Sequence, residues 1–216
     1  IGREFRKVAN KYKDKEVTIF ASGVAKSDED CREEYNRELD MIAMEISKGG
    51  KIIYFSTCSI LQNRVTSYIS HKRHIEKLLV DSSNCLIVRL PQVVGKNANQ
   101  NTVVEFFYRS LISGEPFNIY ANAYRSLIDV EDVVRIVLIA LNADYNVGNV
   151  INISSGSQVL AIEIVKWFEE NMGVKGNYTI NNSEAEPLIV DLTLAKSLLG
   201  EADIIFSTQY WNCLLY

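Results

Sequence analysis

Tyr68 and Lys72 stand four residues apart near the start of an amphipathic stretch, Ser67 to Val80. On an α-helix that spacing puts both side chains on one face. An ammonium beside a phenol favours the phenolate, so Lys72 is expected to lower the pKa of Tyr68 from its ordinary value of about 10. About a dozen residues earlier runs Ser56-Thr57-Cys58-Ser59, where the Thr57 hydroxyl is placed to bond the same substrate oxygen as Tyr68. Together they make an acid/base able to protonate or deprotonate a carbinol oxygen while hydride moves at the attached carbon. The same spacing also describes a core-edge tyrosine beside a solvated lysine, and the pair alone does not separate the two.

The elements that must position these groups follow from hydrophobic periodicity. Short β-branched runs read as strands at Val17 to Phe20, Lys51 to Phe55, Cys85 to Val88, Phe117 to Tyr120 and Val150 to Ile153. Between them, amphipathic stretches read as helices: Arg3 to Lys13, Asp28 to Ser47, Ser67 to Val80, Thr102 to Ile112, Val130 to Leu141, Ala161 to Met172 and Leu192 to Leu199. Strand and helix in alternation, with short connections, predict an α/β fold whose parallel sheet is covered on both faces. After about Gly156 the pattern loosens into a smaller C-terminal lobe.

Ligands in such sheets bind at the carboxyl ends of the strands. Three of these ends carry unusual residues: Ala21-Ser22-Gly23, Ser56-Thr57-Cys58-Ser59 and Arg89-Leu90-Pro91-Gln92. Small residues let a flat ligand approach the backbone, and hydroxyls offer it hydrogen bonds. Each run taken singly is also ordinary turn chemistry.

Composition narrows the class. The chain has 216 residues, with 23 Lys+Arg against 27 Asp+Glu and 47% apolar residues. A net charge of −4 leaves no cationic excess to neutralise a run of phosphates, so nucleic acid is not an expected partner. The greasiest stretch, Val133 to Leu141, contains Arg135 and is far shorter than the roughly 20 residues that span a bilayer, so no membrane is expected either. Cys31, Cys58, Cys85 and Cys213 are scattered and the histidines are only His71 and His74. That usage predicts a reduced, cytoplasmic protein with no metal site. His71 and His74 flank Lys72 and read as partly exposed structural histidines; Cys58 reads as packing. The chain opens Ile1-Gly2-Arg3 without Met or signal-peptide character, which predicts further residues upstream.

Four motifs in order carry a resemblance. Tyr54-Phe-Ser-Thr-Cys-Ser59, then Ser67-Tyr68-Ile-Ser-His-Lys72, then Val88-Arg89-Leu-Pro-Gln-Val-Val-Gly95, then Arg125-Ser-Leu-Ile-Asp129-Val-Glu-Asp132 closely resemble the extended short-chain dehydrogenase/reductase family. These are NAD(P)-dependent nucleotide-sugar epimerases, dehydratases and reductases. The resemblance runs from about Val17 to the C-terminus and includes Leu192 to Gly200, similar to a late turn of the family. It implies a Rossmann-like doubly wound parallel sheet with a small C-terminal substrate-binding lobe. The cofactor core would comprise residues 1–90 and 128–154, and the substrate lobe residues 91–127 and 155–216.

The resemblance assigns roles by position. Thr57, Tyr68 and Lys72 match the catalytic triad, with Lys72 also holding the nicotinamide ribose. Gly2 resembles the last glycine of the phosphate-cradling loop, and Ala21, Ser22, Gly23, Ser56 and Pro91 join Tyr68 and Lys72 on the cofactor, NAD or NADP. Asn101 and Arg125 resemble positions that bind the diphosphate of a nucleotide-activated sugar, and a guanidinium suits that task. Cys58, Ser59 and Gln92 complete the substrate side, although Gln92 stands where many members have Asn.

The chain also departs from the family. Only about 14 residues separate Gly2 from Val17, where members place two further strands and a helix, so the adenosine side of the pocket must be built differently or reduced. Thr57-Cys58-Ser59 stands where sugar 4,6-dehydratases carry Thr-Asp-Glu, so dehydration is disfavoured and epimerisation or ketone reduction is left. A non-catalytic or regulatory binding module with a degenerate cofactor site is the rival reading. The resemblance also implies a homodimer through the helices Asp28 to Ser47 and Ser67 to Val80. Tyr35, Leu39, Met44 and Leu79 are apolar enough to allow it, and core packing explains them equally well.

Overall fold

A computed structural model of the chain describes residues 1–8, 17–26, 31–82, 84–95, 102–142, 149–182, 188–202, 206–207 and 210–215. Four parallel strands make the main sheet: β1 (Val17–Phe20), β2 (Lys51–Thr57), β3 (Cys85–Leu90) and β8 (Asn149–Asn152), in the order β1-β2-β3-β8. Register runs Val17 opposite Lys51, Ile52 opposite Cys85 and Leu86 opposite Asn149. Successive side chains on a strand face opposite ways, and the two faces are visible in what they bury. Ile53, Leu86, Val88 and Ile151 pack with Phe5 of α1 (Gly2–Val8), with Val133 and Val137 of α5 (Val130–Asn142) and with Ala195 of α7 (Thr193–Ala202). Ile52, Tyr54, Cys85 and Ile87 pack with Ile42 of α2 (Arg32–Ser47) and with Ile75 and Leu79 of α3 (Ser67–Asp81). Helices thus cover both faces, the Rossmann-like arrangement.

The remaining elements build a second cluster. Here α4 (Val103–Ser113) and α6 (Ala161–Met172) pack Phe107, Leu111, Ile164 and Phe168 around β5 (Phe117–Tyr120), which pairs in parallel with β10 (Tyr178–Asn181). Two smaller ladders tie this cluster to the main sheet. The strand β4 (Gln92–Val94) pairs with β7 (Leu127–Asp129), and β6 (Tyr124–Arg125) pairs antiparallel with β9 (Val159–Leu160). Along β7 the alternation divides the two cores, since Leu127 belongs to the second cluster and Ile128 to the sheet.

Local chemistry sets the boundaries. Thr66 caps α3, its hydroxyl accepting from the Ile69 N–H at 3.1 Å, and Thr102 caps α4 in the same way from Glu105. Gly114 ends α4 in the left-handed conformation (φ +69°) that a glycine adopts without a Cβ penalty. Tyr210 fastens the C-terminal 3-10 turn onto the start of α5: its hydroxyl donates to Asp132 Oδ2 at 2.6 Å and accepts from the Asp129 N–H at 3.0 Å.

Several boundaries differ from the sequence reading. Lys51–Thr57 and Cys85–Leu90 each run two residues further than their apolar runs, because ladder pairing continues through Ser56 opposite Arg89 and Thr57 opposite Leu90. The helix read from Arg3 to Lys13 is seen as Gly2–Val8, with residues 9–16 outside the described set; likewise 27–30, at the start of the helix read from Asp28. The short strands β4, β6, β7 and β9 carry too few residues for an alternation to register in sequence, and the four-residue β10, which pairs with β5, is a further addition to the sequence reading. Among the helix residues named for a homodimer, Leu79 is fully buried and belongs to the core, while Met44 is 55% exposed.

Candidate active site

The carboxyl ends of β1, β2 and β3 open into one cleft of about 1570 Å³. Its first wall comes from the residues after β1: Ala21, Ser22 and Gly23 line it, and Gly2 at the head of α1 faces them, a Cβ there coming within 3.3 Å of the Ala21 Cβ. The end of β2 brings Ser56, Thr57 and Ser59, and α3 brings Tyr68 and Lys72. Pro91 interrupts the chain after β3 and hands it to β4, so that Pro91 and Gln92 line the cleft, and β6 supplies Arg125. Cys58 stands apart. It is wholly buried, does not line the cleft, and burial pushes its thiol up to about 12. Asn101 lies outside the described residues.

Tyr68 is 8% exposed. Burial pushes its phenol up to about 12, against the opposing pull of a hydrogen bond with Thr57; the charges of Glu38 and Tyr35 add to the rise. This corrects the expectation that Lys72 would lower it. The reason lies beneath the tyrosine, in what holds the lysine. Lys72 Nζ donates to Glu38 Oε1 at 2.9 Å and to the Tyr54 hydroxyl at 2.8 Å, and it is 5.8 Å from the centre of the Tyr68 ring. Glu38 is fully buried. Its Oε1 also accepts from the Tyr54 hydroxyl at 2.7 Å, and its Oε2 from the Val24 N–H at 2.7 Å and from His71 Nε2 at 2.9 Å. Burial pushes this carboxyl up, but the His71 hydrogen bond, the Lys72 charge and the remaining donors outweigh it and hold it at about 2. The ammonium is therefore spent on a carboxylate, and its net effect on the phenol is cancelled.

Glu38, Tyr54 and His71 are the residues that sequence reasoning missed. His71 is not a partly exposed histidine: it is 7% exposed, bonded to Glu38 and packed with its ring centre 4.5 Å from that of Tyr35, whereas His74, three residues further on, is exposed. A signal did exist for Glu38. It falls three residues after Tyr35 and four before Ile42, on the apolar stripe of its helix, and a carboxylate there has to be paired.

Other polar atoms of the cleft lack partners. Ser56 Oγ and Gln92 Oε1 are buried with no hydrogen-bond partner among the described residues. Arg125 gives one N–H to the Tyr124 carbonyl at 2.9 Å, and burial, then the neighbouring Arg64 charge, depress its pKa. Two guanidiniums turned toward one cleft call for an anion. The Arg89 guanidinium takes no part, since it is held by Glu76 on α3.

The NAD dependent epimerase/dehydratase family matches residues 45–154, just over half of the chain. The chain belongs to this family. Solved structures of similar fold are MoeE5 in complex with UDP-glucuronic acid and NAD, at 18% identity over 89% of this chain and 74% of that one, with a TM-score of 0.71. UDP-glucuronic acid 4-epimerase from Bacillus cereus is 18% identical over 96% and 78%, TM-score 0.73. RMD from Pseudomonas aeruginosa, complexed with NADPH, is 16% identical over 93% and 80%, TM-score 0.67. No curated protein matches the sequence. For a member of the epimerase/dehydratase family, the matched segment covers Thr57, Tyr68, Lys72 and Arg125 but begins after the loop Ala21–Gly23 and after Glu38. Among the described residues no helix is long and apolar enough to cross a membrane.

Proposed function

We propose that the chain is an NAD(P)-dependent epimerase or ketoreductase acting on a nucleotide-activated sugar. The observation that carries this reading is one cleft lined at once by Thr57, Tyr68 and Lys72, by the small residues Gly2, Ala21, Ser22 and Gly23, and by Arg125. At about 1570 Å³ it exceeds the roughly 300–1,000 Å³ of a pocket for one small ligand, which suits a dinucleotide and a nucleotide sugar together. The residues fit a dinucleotide: Gly2 and Ala21 approach so closely that a Cβ on Gly2 would lie 3.3 Å from the Ala21 Cβ, which keeps this wall of the cleft free of side chains, and the buried Ser56 Oγ has no partner among the described residues. Gly2, Ala21, Ser22, Gly23, Ser56 and Pro91 would hold the cofactor, with Lys72 at the ribose. A bound nicotinamide supplies or accepts hydride.

The chain's own residues would then handle the proton. With its phenol at about 12, Tyr68 is protonated at neutral pH and gives that proton to a sugar carbonyl oxygen as hydride reaches the carbon. In the oxidising half of an epimerisation the same oxygen, its own proton first lost to solvent, would take the carbinol proton, and the Thr57 hydroxyl bonded to it orients the exchange. Arg125, with Ser59, Gln92 and Asn101, would hold the nucleotide diphosphate, a bidentate task for the guanidinium. Elimination of water needs a further acid and base, and among the described residues Glu4, paired with Lys7, is the only carboxylate lining the cleft. That supports epimerisation or reduction over 4,6-dehydration.

One observation favours a second reading. Because Lys72 is engaged by Glu38, a binding module of the same fold without turnover accounts for the network as pure structure. Titration with NADH and NADPH by cofactor fluorescence, followed by incubation with NAD and UDP-glucuronic acid or UDP-glucose and, for ketone reduction, with NADH or NADPH and a nucleotide-linked 4-keto sugar, separates the two. Binding with conversion of the sugar supports the enzyme, binding without conversion supports the module, and absence of binding to both dinucleotides overturns the cofactor assignment.

A further inference from the structure

A glutamate that is wholly buried under the cleft, outside the residues assigned to chemistry, needs a reason. Desolvating a carboxylate and an ammonium is costly, and replacement of such a pair by apolar residues is often neutral or stabilising. Stability is therefore a weak explanation for Glu38 and Lys72. What the geometry offers instead is placement. The Glu38 carboxylate gathers one donor from the loop after β1 (Val24 N–H), one from β2 (Tyr54) and two from α3 (His71, Lys72). Its neighbour Arg37 bonds the Ser22 carbonyl in the same loop at 3.3 Å. The loop is packed so closely against the pair that a Cβ on Gly23 would come within 2.4 Å of Glu38 Oε1 and 3.0 Å of Lys72 Nζ. A side chain on residue 23 would have to displace the pair, so the loop, the carboxylate and the lysine are packed as one unit.

We propose that Glu38 is a positioning residue that fixes Lys72 and the Ala21–Gly23 loop in one geometry, so that two of the three ammonium N–H groups are locked below and the third is presented to the cleft. This rests on the cofactor-binding function proposed above. Lys72 has three donors; Glu38 and Tyr54 take two, and the side chain, 2% exposed, has no room to swing elsewhere. The Glu38 charge also adds to the rise that burial gives the Tyr68 phenol, so Tyr68 holds its proton in the chain without cofactor. Tyr54 acts as a second clamp on both partners, with burial and the Glu38 charge raising its own phenol well above the usual range.

A double-variant cycle tests this. Glu38→Gln, Lys72→Met and the pair combined are compared by NADH fluorescence titration and by thermal melting of the chain without cofactor. If Glu38 acts through Lys72, each single variant weakens NADH binding about tenfold and the combined variant is no weaker than Lys72→Met alone. In the melts each single variant leaves one charge buried and lowers Tm by roughly 10 °C, and the combined variant regains at least half of that loss. Should Glu38→Gln fail to fold, Tyr54→Phe keeps the ring in the core and removes one clamp; it is expected to weaken NADH binding about threefold, and not at all in the Lys72→Met background. Losses that multiply in the combined variants, or unchanged NADH binding in Glu38→Gln, overturn the proposal while leaving the function intact. A wild-type chain that binds neither NADH nor NADPH overturns the function and this proposal together.

Discussion

Beneath Tyr68, Glu38 receives four hydrogen bonds from three different elements and Lys72 is 2% exposed. In the same cleft, Ser56 Oγ and Gln92 Oε1 are buried without hydrogen-bond partners among the described residues, and the Arg64 charge acts on Arg125. The first region is complete in the chain alone; on the proposed function, the second would be completed by a ligand. Groups that move protons gain from being fixed in advance, because no reorganisation is then paid at the moment of reaction. Groups that hold a ligand gain from an unmet need, since a buried acceptor without a partner costs about 1–3 kcal/mol until a donor comes.

Changes on the completed side should therefore act on rate or stability, and on affinity only through the Lys72 ammonium, whereas changes on the open side should act on affinity first. The largest expected effect is that of Tyr68→Phe. The ring and its packing stay, the proton goes, and conversion of the nucleotide sugar should fall by about 10²–10⁴-fold with NADH affinity within about twofold of wild type. Activity that survives the change would move the acid/base role off α3.

Acid should strike the same region next. Glu38 is held at about 2 against 4.5 for an ordinary glutamate, a depressed carboxyl. Such a group adds stability that is fully present above about pH 4.5 and is lost as pH falls toward about 2. Integrated, the shift corresponds to about 3 kcal/mol. Urea midpoints measured from pH 7 downward should decline most steeply in that window, and Glu38→Gln should flatten the decline. A wild-type curve already flat through the window would mean that the carboxylate is not held by its four donors.

The parts legible in sequence and the parts that were not divide along the same line. Long periodic segments such as Ser67–Asp81 and Ala161–Met172 declared themselves, as did the strand ends where small and hydroxyl residues gather. So did the grouping of Thr57, Tyr68 and Lys72 on one cleft, which needs only a helix face and a strand end. The electrostatics did not. Reading Lys72 as an activator of Tyr68 considered only the residue four positions away, whereas the partner that decides its charge is Glu38, 34 residues earlier in the chain. Tertiary pairing of that kind is invisible to a window of one helix. His71 was misjudged for the same cause: its exposure depends on α2, not on its own helix. The ladders of two or three residues that join the cores were lost because two alternations make no pattern.

On the open side, Arg125→Ala should weaken binding of UDP, measured by calorimetry, by about 10–100-fold, the worth of a charge-assisted hydrogen bond to phosphate. The melting temperature should hardly change, because within the described contacts the guanidinium donates only to the Tyr124 carbonyl beside it. A large loss of stability would show that Arg125 belongs to the frame rather than to the mouth.

Ser56→Ala is the smallest change and the sharpest discriminator between the two regions. Ser56 follows Tyr54 by two residues on β2, so both side chains face the same way along the strand, yet the Tyr54 hydroxyl is doubly bonded and the Ser56 hydroxyl has no partner among the described residues. Removing an unpaired buried hydroxyl relieves the chain of its desolvation and should raise stability by up to about 1 kcal/mol. If the hydroxyl awaits a cofactor, NADH affinity should fall about threefold at the same time. A gain in stability without a loss in affinity would make Ser56 Oγ a mere packing defect. A loss in both would mean that the hydroxyl is already satisfied in the free protein, and the contrast between a finished and an unfinished wall would then fail at β2.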